Sequence, residues 1–525
     1  MPWTPSGWQW APFLLAVWLL YELLRYAVVS SAKRRYEQQV DHFLKQHDIP
    51  VDSFRHTHRV VVKERVMGDA GLVLAMDQRA RAEGKTLHEV RLRVRGWLDE
   101  IVPQFNILAY YKVGYALART VAYSLYNVRL DKQSLEAARA KIPKDAAVVY
   151  VSNHRSNADF VVTGFMLSRS VQVSYAVGEW ARVWPLESLF KAFGSYFVRR
   201  GEKDPLYHRT LEAYLQLITK QGVTQAMFPE GGLTRDGRLR EPKVGLLDNM
   251  AKAKLDPDFT RPLVFVPVGI NFDRVVEDEN MVYEARTGRH RYQDRTFWQK
   301  IGRIFSLVRW LLYGVPVNIV RFLARRLKKH GVVAIRFGEP VVFDDWYKGQ
   351  TFLAEPERHV RWQALRPFAD DLLARIAKII PVTSVTLTCL AARDIGPERM
   401  QVGVDRGTML LAMRACQDRL RAAGAAFATG DPYEDRPRHG HVHEVDHVTA
   451  GMDAAAELEA VLQRALDVTS RRKMLYERGG VVVAPKWDLV EYYARSLDGD
   501  GASAAAPEPA GDTSFRSPDS GVLLA

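Results

Sequence analysis

His154 and Asp159, with four residues between them, stand just past an apolar run, in the stretch 148–159 reading VVYVSNHRSNAD. Residues 148–151 predict a buried strand. If the chain turns after Ser152-Asn153 and opens a helix near Ser156 or Asn157, the carboxylate swings back onto the imidazole. It then fixes the tautomer and leaves the other ring nitrogen to take a proton. That is the base half of a catalytic triad without its serine, and it suits an enzyme whose nucleophile is a hydroxyl on the substrate. The spacing alone is not specific: it recurs as His47…Asp52 and His441…Asp446 in a chain with 14 histidines. Only the middle copy follows a strand-like run and has partners downstream.

Three further stretches carry chemistry. Residues 194–201 (GSYFVRRG) predict a short aromatic strand, including Phe197, that delivers Arg199 and Arg200. Neighbours on a strand point to opposite faces, so at most one of the two aims at a given ligand. Residues 228–235 (FPEGGLTR) end a strand in Pro229, Glu230, Gly231 and Gly232, where glycines let the backbone turn sharply and present amides. Arg235 offers a fork of donors for a phosphate, and Lys243 follows in EPKVG. Residues 264–270 (VFVPVGI) form a core strand interrupted by Pro267, which points to an edge, a bulge or a site wall.

These residues need a scaffold. Strand-like runs at 148–151, 225–228, 263–270 and 332–337 alternate with helical spacing, which predicts an α/β domain over 136–345. Residues 36–135 read as mainly helical, and 346–497 as a mostly helical region with strand-like threonines and valines in 379–390. Residues 498–525, rich in Ala, Ser, Pro, Gly and Asp, predict a disordered tail.

The 525 residues carry 74 basic against 61 acidic side chains, a net charge of +13. That favours anionic partners: phosphorylated metabolites, an anionic membrane surface or nucleic acid, although no nucleic-acid motif accompanies it. Two cysteines exclude a disulfide framework and point to a reducing compartment. Residues 11–29 are apolar except Glu22 and Arg25, with Trp3, Trp8 and Trp10 before them and Lys33, Arg34 and Arg35 after. At 1.5 Å per residue they reach roughly 28 Å, which predicts an anchor within 1–35, spanning the bilayer or lying on it, with the bulk cytoplasmic. Residues 298–330 alternate apolar runs with arginines and predict an amphipathic segment, on a membrane surface or on the domain itself. His439, His441, His443 and His447 lie in a polar stretch that reads as a solvated loop rather than a metal site.

Taken together, in this order and spacing, the four blocks resemble the glycerolipid acyltransferase superfamily, and within it the bacterial membrane-type glycerol-3-phosphate acyltransferases. HRSNAD, FVRRGEKDPLY, PEGG…TR with PKVG, and VPVGINFDRVVE carry the likeness, supported by IIPVTSVTLTCLAA and LVEYYARSL. The resemblance implies a mixed sheet flanked by helices. It implies transfer of a fatty acyl group from acyl-CoA or acyl-acyl carrier protein to the sn-1 hydroxyl of glycerol 3-phosphate, at the inner membrane, with no metal or other cofactor. His154 would be the general base and Asp159 its orienter, with Glu230 and Gly231 in the catalytic block. Arg155, Arg199, Arg200, Arg235 and Lys243 would hold the phosphate, and Phe197 and Pro267 would wall the site. Leu233 and Thr234 stand where that branch usually has arginine and serine, which leaves open dihydroxyacetone phosphate or lysophosphatidate as acceptor. An inactive lipid- or carrier-binding scaffold is the alternative from another class.

Overall fold

The computed structural model describes residues 59–105, 115–168, 173–178, 186–199, 201–288, 329–429 and 454–498. The expected anchor, most of the amphipathic segment, Arg200, the histidine cluster and nearly all of the tail lie outside these residues.

The strands are β1 (Asn127–Leu130), β2 (Ala147–Ser152), β3 (Ser174–Val177), β4 (Tyr196–Phe197), β5 (Gln225–Met227), β6 (Leu263–Phe272), β7 (Val332–Phe337) and β8 (Val341–Val342). They form one mixed sheet in the order β1-β7-β6-β2-β5-β3-β4, with β8 also on β6. β6 runs parallel to β2 but antiparallel to β7 and β8. All ten residues of β6 are buried, as a central strand covered on both faces requires. Pro267 is therefore core rather than a site wall. Its carbonyl accepts from Gly338 N, so its missing N–H faces the gap where β6 changes partner from β8 to β7, and no ladder bond is lost.

Helices cover both faces. On one lie α1 (Arg59–Met67), α2 (Ala70–Glu83) and α3 (Leu87–Ile101), whose apolar positions pack with Val149, Val151 and Phe265. On the other lie α4 (Tyr115–Leu125), α5 (Lys132–Ala140) and α6 (Ala158–Ser168), where Ala122, Leu135 and Phe160 join Tyr150, Val264 and Val266. The alternation within β2 and β6 thus feeds two separate cores. α7 (Leu186–Ala192) leads into β4, while α8 (Pro205–Lys220) and α9 (Gly245–Ala251) join the first face and α10 (Asp278–Thr287) follows β6. The region expected to be mainly helical to residue 135 also contains β1, four residues that add a parallel edge beside β7.

After α11 (Phe343–Tyr347), α12 (Arg358–Ile379) packs on β6 of the first face. Buried Arg361 pairs with buried Asp248 of α9 at 3.0 Å and fixes the two helices together. Residues 379–390 turn out mostly helical: α13 (Ser384–Ile395) starts at Thr383, whose side chain accepts from Thr386 N. Cap chemistry and burial on every side override the β-branched composition. α14 (Pro397–Val402), α15 (Arg406–Ala422), α16 (Ala454–Thr469) and α17 (Trp487–Ala494) complete the C-terminal region. A small antiparallel sheet of β9 (Val404–Asp405), β10 (Tyr476–Arg478) and β11 (Val481–Val483) accompanies them. α13 packs against α15, α16 and α17, and its side chains share the core of β6 and β7.

Candidate active site

The site forms where β2 ends. Asn153 pairs both ends of its amide with the backbone of Ile270 in β6, donating to the carbonyl at 2.9 Å and accepting from the N–H at 2.8 Å. The next residue is His154. α6 then opens at Ala158 and brings Asp159 back over the loop. Asp159 Oδ2 accepts from His154 Nδ1 at 2.9 Å, Arg155 N at 2.7 Å and Ser156 N at 3.0 Å. A carboxylate that accepts from Nδ1 places the proton there and leaves the Nε2 lone pair to take one. Phe228 stacks on the imidazole at 4.1 Å and 18°, and Phe160 meets it edge-on at 5.6 Å. The ring is 2% exposed, so its orientation is set by packing as well as by the hydrogen bond.

Glu230 is a strut. One carboxylate oxygen accepts from His154 N at 2.7 Å and the other from Arg240 N at 2.9 Å. Thr234 N donates to His154 O at 3.0 Å, so both backbone polar groups of the histidine are held by the 230–240 loop. The resemblance placed Glu230 and Gly231 in the catalytic block, where the glycines were expected to present amides. Gly231 N instead donates to Phe228 O at 3.1 Å within the turn. Gly231 has φ +65°, and a Cβ there would lie 2.7 Å from Lys243 Cδ. Burial pushes the Glu230 carboxyl up to about 7, against the two N–H groups and the nearby Arg155 and Arg240 charges that favour ionisation. Its folded pKa exceeds the 4.5 of an unperturbed carboxyl. Its contribution to stability is therefore fully present below that value and lost as the pH rises through about 7. The swing is on the order of 3 kcal/mol. Glu230→Gln cannot offer an acceptor to both N–H groups, and we expect it to cost about 1–3 kcal/mol. Thermal midpoints measured across this pH range should lose most of that dependence in the variant. An unchanged profile would assign the titration to another group.

The expected phosphate ligands separate. Arg199 is clasped by Glu100 at 2.7 Å and Glu202 at 3.1 Å, and its hydrogen bonds to Glu100, more than those to Glu202, hold its pKa above the usual range. It ties α3 to the loop after β4 rather than facing a ligand. Phe197 is buried beneath Lys191 and packs in the core rather than walling the site. Arg235 is half exposed and reaches Glu284 at 3.4 Å. Lys243 is exposed on the far side of the Gly231 turn. Of the expected ligands among the described residues, Arg155 alone lies beside the His154–Asp159 pair. It is 2% exposed and sits over the Tyr492 ring at 5.3 Å. Its Nε and Nη2 are buried and have no hydrogen-bond partner among the described residues. A buried guanidinium without a carboxylate favours an anionic ligand.

Two supporting residues escaped the motif reading. Glu277 accepts from Ser156 Oγ at 2.8 Å and from Asn157 Nδ2 at 3.0 Å, holding the far side of the histidine loop. Tyr492 of α17 backs Arg155, and Gly237 approaches its carbonyl so closely that a Cβ would lie 1.9 Å away. Both residues fall inside stretches that carried the family likeness, VPVGINFDRVVE and LVEYYARSL, but neither spacing nor residue type assigns them a partner.

Residues 136–271 match the family model described as Acyltransferase. The segment that holds His154, Asp159 and Glu230 thus lies within a match to an acyltransferase domain. Within that class the chain is similar to glycerol-3-phosphate acyltransferases. It is 25% identical to the Pseudoalteromonas atlantica protein over 338 residues, covering 62% of this chain and 38% of that one. It is 27% identical to the Aeromonas hydrophila protein over 327 residues, covering 60% and 37%. The chain therefore spans less than two-fifths of the length of these relatives. The 1-acyl-sn-glycerophosphate acyltransferase PlsC of Thermotoga maritima is 18% identical and covers 50% of this chain and 80% of its own. At a TM-score of 0.26 it adds nothing to the fold described above.

Proposed function

We propose that the chain transfers a fatty acyl group from an acyl thioester, acyl-CoA or acyl-acyl carrier protein, to the sn-1 hydroxyl of glycerol 3-phosphate. The single observation that carries this is the 2.9 Å contact between His154 Nδ1 and Asp159 Oδ2 inside the matched acyltransferase segment. His154 Nε2 takes the proton of the acceptor hydroxyl. The alkoxide oxygen bonds to the thioester carbonyl carbon, the C–S bond breaks, and the departing thiolate takes the proton back from Nε2. Asp159 stabilises the transient imidazolium. Arg155, buried beside the pair with unpartnered nitrogens, supports a phosphorylated acceptor.

Transfer from palmitoyl-CoA to labelled glycerol 3-phosphate, dihydroxyacetone phosphate and lysophosphatidate tests the reading, with His154→Ala as control. Glycerol 3-phosphate is the expected acceptor. Turnover only with another acceptor would keep the mechanism and trace acceptor choice to Leu233. Arg240 Nη1 reaches the Leu233 carbonyl at 3.4 Å and so supplies a guanidinium beside a position whose own side chain has none.

The work is proposed to take place at a bacterial inner membrane, with the catalytic domain on the cytoplasmic side. The net charge of +13 and the apolar run 11–29 with its basic flank support this. Among the described residues no helix is long and apolar enough to cross a bilayer. Deleting residues 1–35 should therefore reduce co-flotation with anionic vesicles, and full retention would remove the anchor.

A further inference from the structure

Five basic side chains gather where three pieces of chain meet. Arg274 follows β6, Lys329 and His330 precede β7, and Arg471 and Arg472 lie in the 3₁₀ turn Ser470–Arg472 after α16. Tyr126 links the first two pieces. Its ring lies 5.7 Å from the His330 imidazole, and its hydroxyl donates to the Arg274 carbonyl at 3.0 Å. Arg471 brings in the third, donating from Nη1 to the Lys329 carbonyl at 3.4 Å. The turn closes on Lys473 at φ 50°, the one non-glycine position with positive φ among the described residues. Backbone of that kind is held in place by its surroundings and clusters at ligand sites.

The cations outnumber the acids beside them. Arg472 meets Asp278 at 3.3 Å and Glu279 at 2.5 Å, and Glu279 also holds Lys486 at 2.9 Å. Among the described residues no carboxylate lies within salt-bridge distance of Arg274, Lys329 or Arg471. Arg274 Nε, His330 Nδ1 and Arg472 Nε are buried and have no hydrogen-bond partner among the described residues. Buried nitrogens left in this way are costly unless something from outside the chain meets them. The charges also act on one another. Burial, and then Arg274, Arg471 and Arg472, push the His330 imidazole down to about 4, and burial, then Arg472, lowers Arg274.

We propose that this cluster binds a phosphate-group anion, at a site separate from the one that carries His154. Arg274, Lys329, Arg471 and Arg472 are four permanent cations against the two carboxylates of Asp278 and Glu279, so a dianion balances the group where a carboxylate would not. Guanidinium groups present forked N–H donors that match phosphate oxygens. Lys329 and Arg471 are exposed, which leaves the cluster open to solvent. Neither His154 nor Asp159 takes part, so the inference stands whether or not the chain transfers acyl groups. The anion would join the ends of β6 and β7 to the C-terminal region beside two supports of the active site. Asp278 follows Glu277, which holds Ser156 and Asn157, and it accepts from Tyr493 at 2.8 Å, the neighbour of the Tyr492 that backs Arg155.

Thermal melts of the full chain in inorganic phosphate, against chloride at equal ionic strength, test it. Phosphate on the order of 10 mM should raise the midpoint by about 2 °C or more. The rise should vanish in Arg274→Gln and in Arg471→Gln, and persist in Arg155→Gln. In chloride alone, Arg274→Gln should melt no lower than wild type, because it removes a cation that its neighbours repel. A guanidinium that served packing only would lower the midpoint equally in both salts, and that result overturns the proposal. So does the absence of any rise in wild type. A rise that is lost in Arg155→Gln but survives in the other two variants places the phosphate beside His154 and also overturns it. The source of the group is separated by calorimetry on Arg155→Gln, with inorganic phosphate and, in parallel, dihexanoyl phosphatidate. Tighter binding of the phosphatidate, abolished by adding Arg471→Gln, identifies a lipid headgroup; equal binding, abolished in the same way, identifies free phosphate.

Discussion

His154→Ala is expected to lower acyl transfer by about 10²–10⁴-fold, the range typical of losing a positioned general base. The loss should fall on kcat rather than on KM, because the imidazole acts in the transition state and holds neither substrate in the ground state. The ring also fills space between Phe228 and Phe160, so alanine leaves a hole, and thermal melts must accompany the kinetics. A variant with a normal melt and a rate more than two orders of magnitude down would assign the base. A variant with near wild-type turnover would remove His154 from the mechanism. Asp159→Asn is the natural companion. Asp159 Oδ2 accepts from three N–H groups, and an amide in its place either loses one of them or turns its own N–H₂ toward the ring.

The second large effect is structural and lies away from the imidazole. Gly237 adopts φ +96°, and a Cβ there would meet the Tyr492 carbonyl oxygen at 1.9 Å and its carbon at 2.8 Å. Both are backbone atoms of α17 and cannot rotate aside. Gly237→Ala must therefore push the helix off the loop, in addition to straining a left-handed backbone position. We expect a loss of about 3 kcal/mol or more, visible as a lower melting midpoint and earlier proteolysis around residues 487–494. Activity should fall with it, because the same displacement uncovers Arg155. A wild-type melt with wild-type activity would show that the 234–238 loop and α17 do not depend on each other.

Local chemistry made the first half of the site legible. A strand, a stop, a histidine and an acid four residues further predicted the pair that the fold brings to 2.9 Å, because a strand-to-helix turn is short and its geometry is nearly fixed by spacing. The strand containing Pro267 was legible too, but its place was not. Whether a proline marks an edge or the gap between two successive partners depends on residues 338–342, far along the chain. Arg199 shows the same limit: a guanidinium near a motif reads as a ligand until Glu100, from another helix, is found beside it. In residues 379–390 the threonines and valines are strand-like in type, while the Thr383 cap and a helix buried from Ser384 to Ala392 decide the local structure. Long-range closure is what single-sequence reading lacks, and Glu277 and Tyr492 are the residues it left without a role.

The approach of Gly237 to Tyr492 has a consequence for the order of events during synthesis. The loop that grips His154 leaves the ribosome long before α17 exists. At roughly 5–20 residues per second, tens of seconds separate the two. Through that interval the nascent chain holds His154 and Asp159 without the tyrosine that backs Arg155. A premature stop anywhere between residues 272 and 486 would leave the matched acyltransferase segment translated whole, and yet release a protein whose site was never closed from behind.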